Sequence, residues 1–304
     1  MSRFKGGPFE NRYKLTGILT LKSALHIGDG DMKKGDGRLP EPKPGEDIPK
    51  YSSVMTDING RAFIPGSTIK GNLRAWLEQI FTSFDLAATN DTGRENTLRS
   101  RWDDCVKRNN TSAIHATLRL RLTEYMFGSG INEGKMEFED ALMLQQPANI
   151  DAKNLAALPG YDDRRGTMML KGVAIDPRSG TAAKNKLYNF EASPRGARFR
   201  VTVTGQNLSD AELGMTLFAL EGFNSEIYPV TIGAMGGIGF GRAAFEVESL
   251  FCLNKENLKM WLESAIENGH AGYTGLVPLS PENRKAHIAT FRNAFKEKIL
   301  RRGA

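Results

Sequence analysis

Two short stretches of this chain hold the residue types that grip a phosphate. Ile64-Pro65-Gly66-Ser67-Thr68-Ile69-Lys70-Gly71-Asn72-Leu73-Arg74 reads as a strand end, a tight turn and a helix start. The first N–H groups of a helix lack intrahelical partners and sit at the positive end of its dipole, so Ser67, Lys70 and Arg74 there compose an anion site. The run from Gly233 to Arg242, GAMGGIGFGR, is a glycine-rich loop that ends in a cation and leads into strand-like alternation. Gly237 and Gly239 let a ligand approach the backbone closely, and Arg242 adds charge. Two separated loops of this kind point to a polyanionic ligand. The rival reading of the second, a dinucleotide fingerprint, requires a loop that follows a strand and opens a helix, whereas this one opens a strand. For the first, an ordinary capped helix with solvated cations is the competing reading on local evidence.

Charge distribution favours the same kind of ligand. The 304 residues carry 41 Lys or Arg against 35 Asp or Glu, a net +6. Between Arg164 and Thr204 there are nine Lys or Arg opposed only by Asp176 and Glu191, so that segment alone carries +7 and the remainder is near neutral. Such a bias is consistent with nucleic acid. Cys105 and Cys252 are too few for a disulfide framework or a cysteine zinc site, and the four histidines offer no ligand pair at helical spacing. A reducing, cytoplasmic setting is expected. No apolar run approaches the roughly 20 residues that span a bilayer, and Met1 to Glu10 lacks a signal-peptide core, so no membrane partner is expected.

The elements that must position these loops follow from periodicity. Tyr13, Leu15, Leu19 and Leu21 alternate with Lys14, Thr16, Thr20 and Lys22 as a half-buried first strand. Met32 to Lys50 contains four prolines and many charges, and reads as a long excursion rather than an element. Ser67 or Thr68 is expected to cap a helix with the stripe Ile69, Leu73, Trp76, Leu77, Ile80, Phe81 and Phe84. Residues 85–126 read as a helical insertion, stopped by Phe127-Gly128-Ser129-Gly130. Lys135 to Met143 reads as a strand, and Gln145 to Gly166 as an irregular connection. Phe199, Val201 and Val203 form another strand, and Ser209-Asp210-Ala211-Glu212 is a capping box for a helix running to about Glu221. Ala243, Phe245 and Val247 alternate as a last strand, and Lys255 to Ala304 reads as two helices. The order suits an α+β fold, a split βαβ sheet with helices on one face and large insertions.

The motifs together resemble the backbone RAMP subunits of type III CRISPR-Cas effector complexes. The resemblance covers nearly the whole chain. It rests on Leu25-His26-Ile27-Gly28, on Phe63 to Ser67 with Lys70, Gly71 and Arg74, and on Phe127-Gly128-Ser129 leading to Phe138-Glu139-Asp140-Ala141. Gly172 to Ala182 and Gly236 to Arg242 complete it. The resemblance implies a single RAMP domain over residues 1–304, built on a ferredoxin-like (RRM-like) palm that binds guide RNA. It further implies a loop insertion at 28–56, helical fingers at 85–126, a basic β-hairpin thumb at 164–197 and a helical tail at 255–304. Guide RNA, target RNA, further copies of the chain and other type III effector subunits are the partners it implies. The RNA-binding set is then His26, Ser67, Lys70, Arg74, Ile175, Arg178, Gly237, Gly239 and Arg242, with Ile175 and Arg178 on the hairpin.

Whether the chain also cuts RNA is open at this level. Related subunits use an Asp in the loop after the first strand with a divalent metal, which offsets the repulsion between a carboxylate and the scissile phosphate. The position where many relatives place that Asp falls near Tyr51, and no carboxylate is there. Asp31 and Asp29, close to the strand end, are the candidates for catalysis, with Asp31 as the ligand of Mg2+; solvating loop charges are the alternative. His26 is either a satisfied strand-end residue or an RNA contact. Tyr188, Phe190 and Trp102 either stack bases or pack in the core. Two other functions stay in view: a RAMP endoribonuclease that processes the guide precursor, and a non-catalytic capping subunit.

Overall fold

The computed structural model describes residues 7–45, 47–84, 122–129, 132–144, 152–269 and 276–300, with Ser100, Asp103 and Lys107 as single positions. In chain order the first elements are β1 (Asn11–Leu21), β2 (Gly28–Lys34), β3 (Lys50–Val54), β4 (Phe63–Ile64) and α1 (Gly66–Thr82). Then come α2 (Leu122–Phe127), β5 (Met136–Phe138), β6 (Ala141–Met143), α3 (Ala152–Ala156), β7 (Met168–Ile175), β8 (Ala182–Ala192) and β9 (Arg198–Gln206). α4 (Asp210–Glu221), β10 (Ala243–Asn254), α5 (Lys255–Asn268) and α6 (Pro281–Leu300) follow, with short 3-10 turns at Gly222–Asn224 and Gly236–Ile238 between α4 and β10. Most of the helical insertion expected at 85–126 lies outside the described residues; α2 is its described end.

The main sheet runs β10-β1-β9-β6-β4, with β5 also on β9, and every pairing is antiparallel. β1 leads through α1 to β5 and β6, and β9 leads through α4 to β10. β1 therefore lies between β9 and β10, as a split βαβ sheet requires. Register sets the faces: Leu15 and Leu19 of β1 oppose Val203 and Phe199 of β9, and Leu250 and Phe245 of β10. Because a strand alternates faces every residue, one side of the sheet is apolar and carries the helices. Ile69, Leu73, Trp76, Leu77 and Phe81 of α1, Leu213, Leu217 and Leu220 of α4, and Ile288 and Phe291 of α6 join those strand residues in one core. Phe84, the last member of the expected α1 stripe, is 44% exposed and meets only the edge of that core through Phe295.

Local chemistry explains the element ends. Ser209 accepts from the Glu212 N–H while Glu212 accepts from the Ser209 N–H, the expected capping box of α4. The start of α1 differs from expectation. Pro65 is its N-cap and neither Ser67 nor Thr68 caps it; the carboxylate of Asp140 accepts the Gly66 N–H at 2.8 Å instead. The same Asp140 explains why the strand expected from Lys135 to Met143 is broken into β5 and β6, since Glu139-Asp140 turns toward the helix start. Gly66 is required by close approach, because a Cβ there would lie 2.1 Å from the Phe138 carbonyl oxygen.

A second sheet, β2-β3-β8-β7, stands on the residues expected to form an excursion and a hairpin. The excursion is shorter than its composition suggested: its ends pair as β2 and β3, with Lys34 opposite Lys50. β2 escaped notice because it is exposed along its length apart from half-buried Lys33, leaving no apolar alternation to read. β3 and β8 run parallel, and β7 and β8 form an antiparallel pair whose turn is closed by Gly180 N–H to Asp176 and Asp176 N–H to Thr181. The irregular stretch before β7 carries the short helix α3. Among the described residues no helix is long and apolar enough to cross a membrane.

Candidate nucleic-acid interface

His26 stands where the two sheets meet. Its Nδ1 lies 2.6 Å from the Glu191 carbonyl oxygen. A carbonyl only accepts, so Nδ1 carries the proton, and Nε2 faces the Ser52 hydroxyl at 3.4 Å. The ring is 5% exposed and meets Phe190 edge-on at 5.7 Å. This is a held strand-end histidine.

The glycine loop lies directly against that segment. The Ala234 N–H donates to the His26 carbonyl, Gly241 N–H to Ala24, and Lys22 and Ser23 N–H groups to Arg242. Met235 at φ 66°, Gly239 at 91° and Gly241 at 75° supply the left-handed turns that fold the loop back. Its crown is open: a Cβ at Gly237 or Gly239 would meet nothing within 4 Å. Arg242 closes the loop with its N–H on Ser23 Oγ at 3.0 Å, while its side-chain Nε is buried and has no hydrogen-bond partner. A buried guanidinium N–H left unbonded is costly, so this atom lacks the acceptor that a buried donor ordinarily has.

The first loop is more committed to the fold. Asp140 takes the Gly66 N–H, so a carboxylate already stands at the helix start. Arg74 is held within the fold: its Nε pairs with Glu78 at 2.8 Å and its Nη1 donates to the Gly128 carbonyl at 2.8 Å. It ties α1 to the turn after α2. Ser67 is exposed and Lys70 half-buried on the first turns.

Asp29 and Asp31 lie on β2 rather than in a loop. Asp29 accepts from the Ser53 hydroxyl at 2.6 Å, the Asp31 N–H at 2.9 Å and Lys33 at 3.2 Å. Its partial burial opposes charge, but these donors outweigh it and hold the carboxyl below its usual range. Asp31 is exposed. Among the described residues no three His, Cys, Asp or Glu side chains cluster as a metal site. Ile175 and Arg178 sit at the far end of the β7–β8 hairpin, Ile175 57% exposed and the Arg178 N–H bonded to Asp176.

Sequence reasoning missed the group that holds this region together. Glu191 is fully buried, and its carboxylate receives Arg38 at 2.7 Å, Arg165 at 2.6 and 2.7 Å, and Thr167 at 2.6 Å. The Val54 N–H adds a bond at 3.2 Å. Burial pushes the carboxyl up, but the two guanidiniums, Thr167 and that N–H prevail and bring it down to about 2. Arg38 also pairs with Asp36 and donates to the Tyr51 hydroxyl at 2.7 Å, and Leu39 packs on Tyr51 and Met169. The Pro-rich excursion is thereby strapped to the second sheet. Tyr51 occupies the place considered for a catalytic Asp and is 3% exposed within this network.

The chain is 23% identical over 244 residues to the CRISPR system Cms endoribonuclease Csm3 of Methanocaldococcus jannaschii, a match covering 80% of this chain and 82% of that protein. The model of the RAMP superfamily matches residues 18–246, which span β1 into β10 and include both loops. The chain belongs to the RAMP superfamily.

Proposed function

We propose that this chain is a guide-RNA-binding backbone subunit of a type III CRISPR effector, polymerising along the guide and holding the guide–target duplex. The observation that carries the reading is the glycine loop, with its open crown and the buried, unbonded Nε of Arg242 at its foot. Phosphate oxygens are strong acceptors, and a guanidinium matches them geometrically. The likeness to a protein named as a CRISPR-system endoribonuclease supports the setting. In this reading the β7–β8 hairpin is the thumb, with Ile175 and Arg178 at its tip beside the duplex, and the main sheet is the palm. Purified protein is expected to bind a guide RNA and leave repeat RNA uncut. Metal-independent cleavage at one position in the repeat would instead make it the guide-processing endoribonuclease.

A second activity, cleavage of target RNA, is favoured by the placement of Asp31 beside the held Asp29 and by the relative's name as an endoribonuclease. Two carboxylates on one strand suit Mg2+, which takes one or two such ligands and completes its shell with water and phosphate oxygens. Asp31 and Asp29 would hold it, and the ion would offset charge on the phosphate in flight. Ser53 and Lys33 orient Asp29, and Tyr51 contributes no carboxylate.

A further inference from the structure

The second sheet carries an aromatic surface beside the glycine loop. Tyr188 on β8 opposes Gly172 on β7, and a Cβ at Gly172 would lie 2.2 Å from the tip of its ring. Glycine at that place lets the ring lie across the strand pair. Its neighbour Phe190 stacks against it with centroids 5.8 Å apart at 30°, and Phe190 also meets Phe240 of the glycine loop at 5.8 Å. Tyr188 is thus fixed from beneath and from one side, yet remains 45% exposed.

Cations flank it on the same face. β3 and β8 are in parallel register with Tyr51 beside Asn189 and Ser52 beside Phe190, so the preceding pair is Lys50 beside Tyr188. Lys34 of β2 opposes Lys50 in turn. Residues opposite one another in a sheet share a face, so Lys34, Lys50, Tyr188 and Gly172 form one row across four strands. Both lysines are exposed. A rigid, exposed aromatic with cations beside it, continuous through Phe190 and Phe240 with a phosphate-reading loop, is the arrangement by which single-stranded nucleic acid is held: phosphates follow the charges and a base lies on the ring.

We infer that the row Lys34, Lys50 and Tyr188 is a stacking platform for one unpaired base of RNA, with Tyr188 as the ring beneath the base and the lysines on the adjoining phosphates. This rests on the RNA-binding reading and adds to it a site for a base outside the duplex. Packing over Gly172 accounts for the inner side of the ring; the inference concerns its outer side and the flanking charge.

The experiment measures binding of a short single-stranded RNA by fluorescence anisotropy, against the same RNA carrying abasic nucleotides. Tyr188→Leu is expected to weaken binding of the intact RNA about tenfold with an unchanged salt slope, since stacking is non-ionic. Binding of the abasic RNA should be unaltered by the substitution. Tyr188→Phe and Tyr188→Trp should retain affinity, and Lys50→Ala should lower the salt slope. Because Leu removes the cover over Gly172, Tyr188→Trp gives an independent readout in folded protein: RNA should quench its added fluorescence beyond any change in the unaltered chain. Equal binding by the Leu variant, or an added tryptophan that RNA does not quench, overturns the platform while leaving RNA binding intact. Failure of the unaltered protein to bind any RNA overturns both.

Discussion

At the scale of single residues, Glu191 decides whether the region around His26 keeps its shape. Its side chain binds Arg38, Arg165 and Thr167, and its backbone carbonyl orients His26. Removing its charge leaves two guanidiniums facing each other without their common partner, and Glu191→Gln is expected to destabilise the fold by roughly 3–5 kcal/mol in denaturant unfolding. The pH dependence has a definite sign. The carboxyl's folded value of about 2 lies below its ordinary 4.5, so its stabilising contribution is complete above that range and is lost as pH falls through it toward 2. Glu191→Gln should therefore flatten the acid limb of the stability curve between those values, and an acid limb identical to that of the unaltered chain would show the network contributes nothing. Asp31 belongs to the same scale but to chemistry. If the assembled complex cuts target RNA in magnesium, Asp31→Ala is expected to lower the cutting rate by at least about 100-fold while RNA affinity stays within about twofold. Full cutting by the Asp31 variant would move the activity to another carboxylate or another subunit.

At the scale of elements, the reach of sequence reasoning tracked the reach of the interactions. β1, β9, α4 and β10 were legible because alternation, helical period and the Ser209 to Glu212 box are written within a few residues. The start of α1 was misread because its cap, Asp140, lies 74 residues further along, and the tie of Arg74 to the Gly128 carbonyl, 54 residues away, left no local trace. The Arg38–Glu191 pair left no local signal for the same reason, its members being 153 positions apart. The residues of the glycine loop were visible in sequence, since glycines and a terminal cation are local signals. The close seat of α1 on β5 yields a prediction: Gly66→Ala would drive a Cβ into the Phe138 carbonyl and Glu139, and should cost roughly 1–3 kcal/mol in thermal or denaturant unfolding. Unchanged stability would mean that the helix start slides freely on the sheet. The hairpin behaves oppositely, because Val173, Ile175 and Leu187 at its distal half are exposed and add little to the core. Replacing Ile175 to Ala183 by a short flexible linker should leave stability and guide binding nearly unchanged but impair ordered pairing or cleavage of target, read by nuclease protection.

At the scale of the whole molecule, the +7 carried between Arg164 and Thr204 surrounds the second sheet and β9, while the glycine loop and the start of α1 bring Arg242 and Lys70 from either side of that segment in the chain. A ligand that meets all of these is a long polyanion, and the signature of such binding is counterion release. Each phosphate contact removed from a single strand lowers the slope of log affinity against log salt by about 0.7. The double substitution of Lys70 and Arg242 by Ala should therefore reduce that slope by about 1.4 in protein shown to remain folded, and an unchanged slope would show both to be ordinary cations of the fold. Copy number then separates the backbone role from a capping role, because only a subunit that repeats along the strand can use each new length of RNA. Native mass measurements on guide RNAs of increasing length should show protein copies added stepwise, and the Lys70 and Arg242 double variant should need higher protein concentration for every step. One copy on every RNA, whatever its length, would place the chain at an end of the assembly.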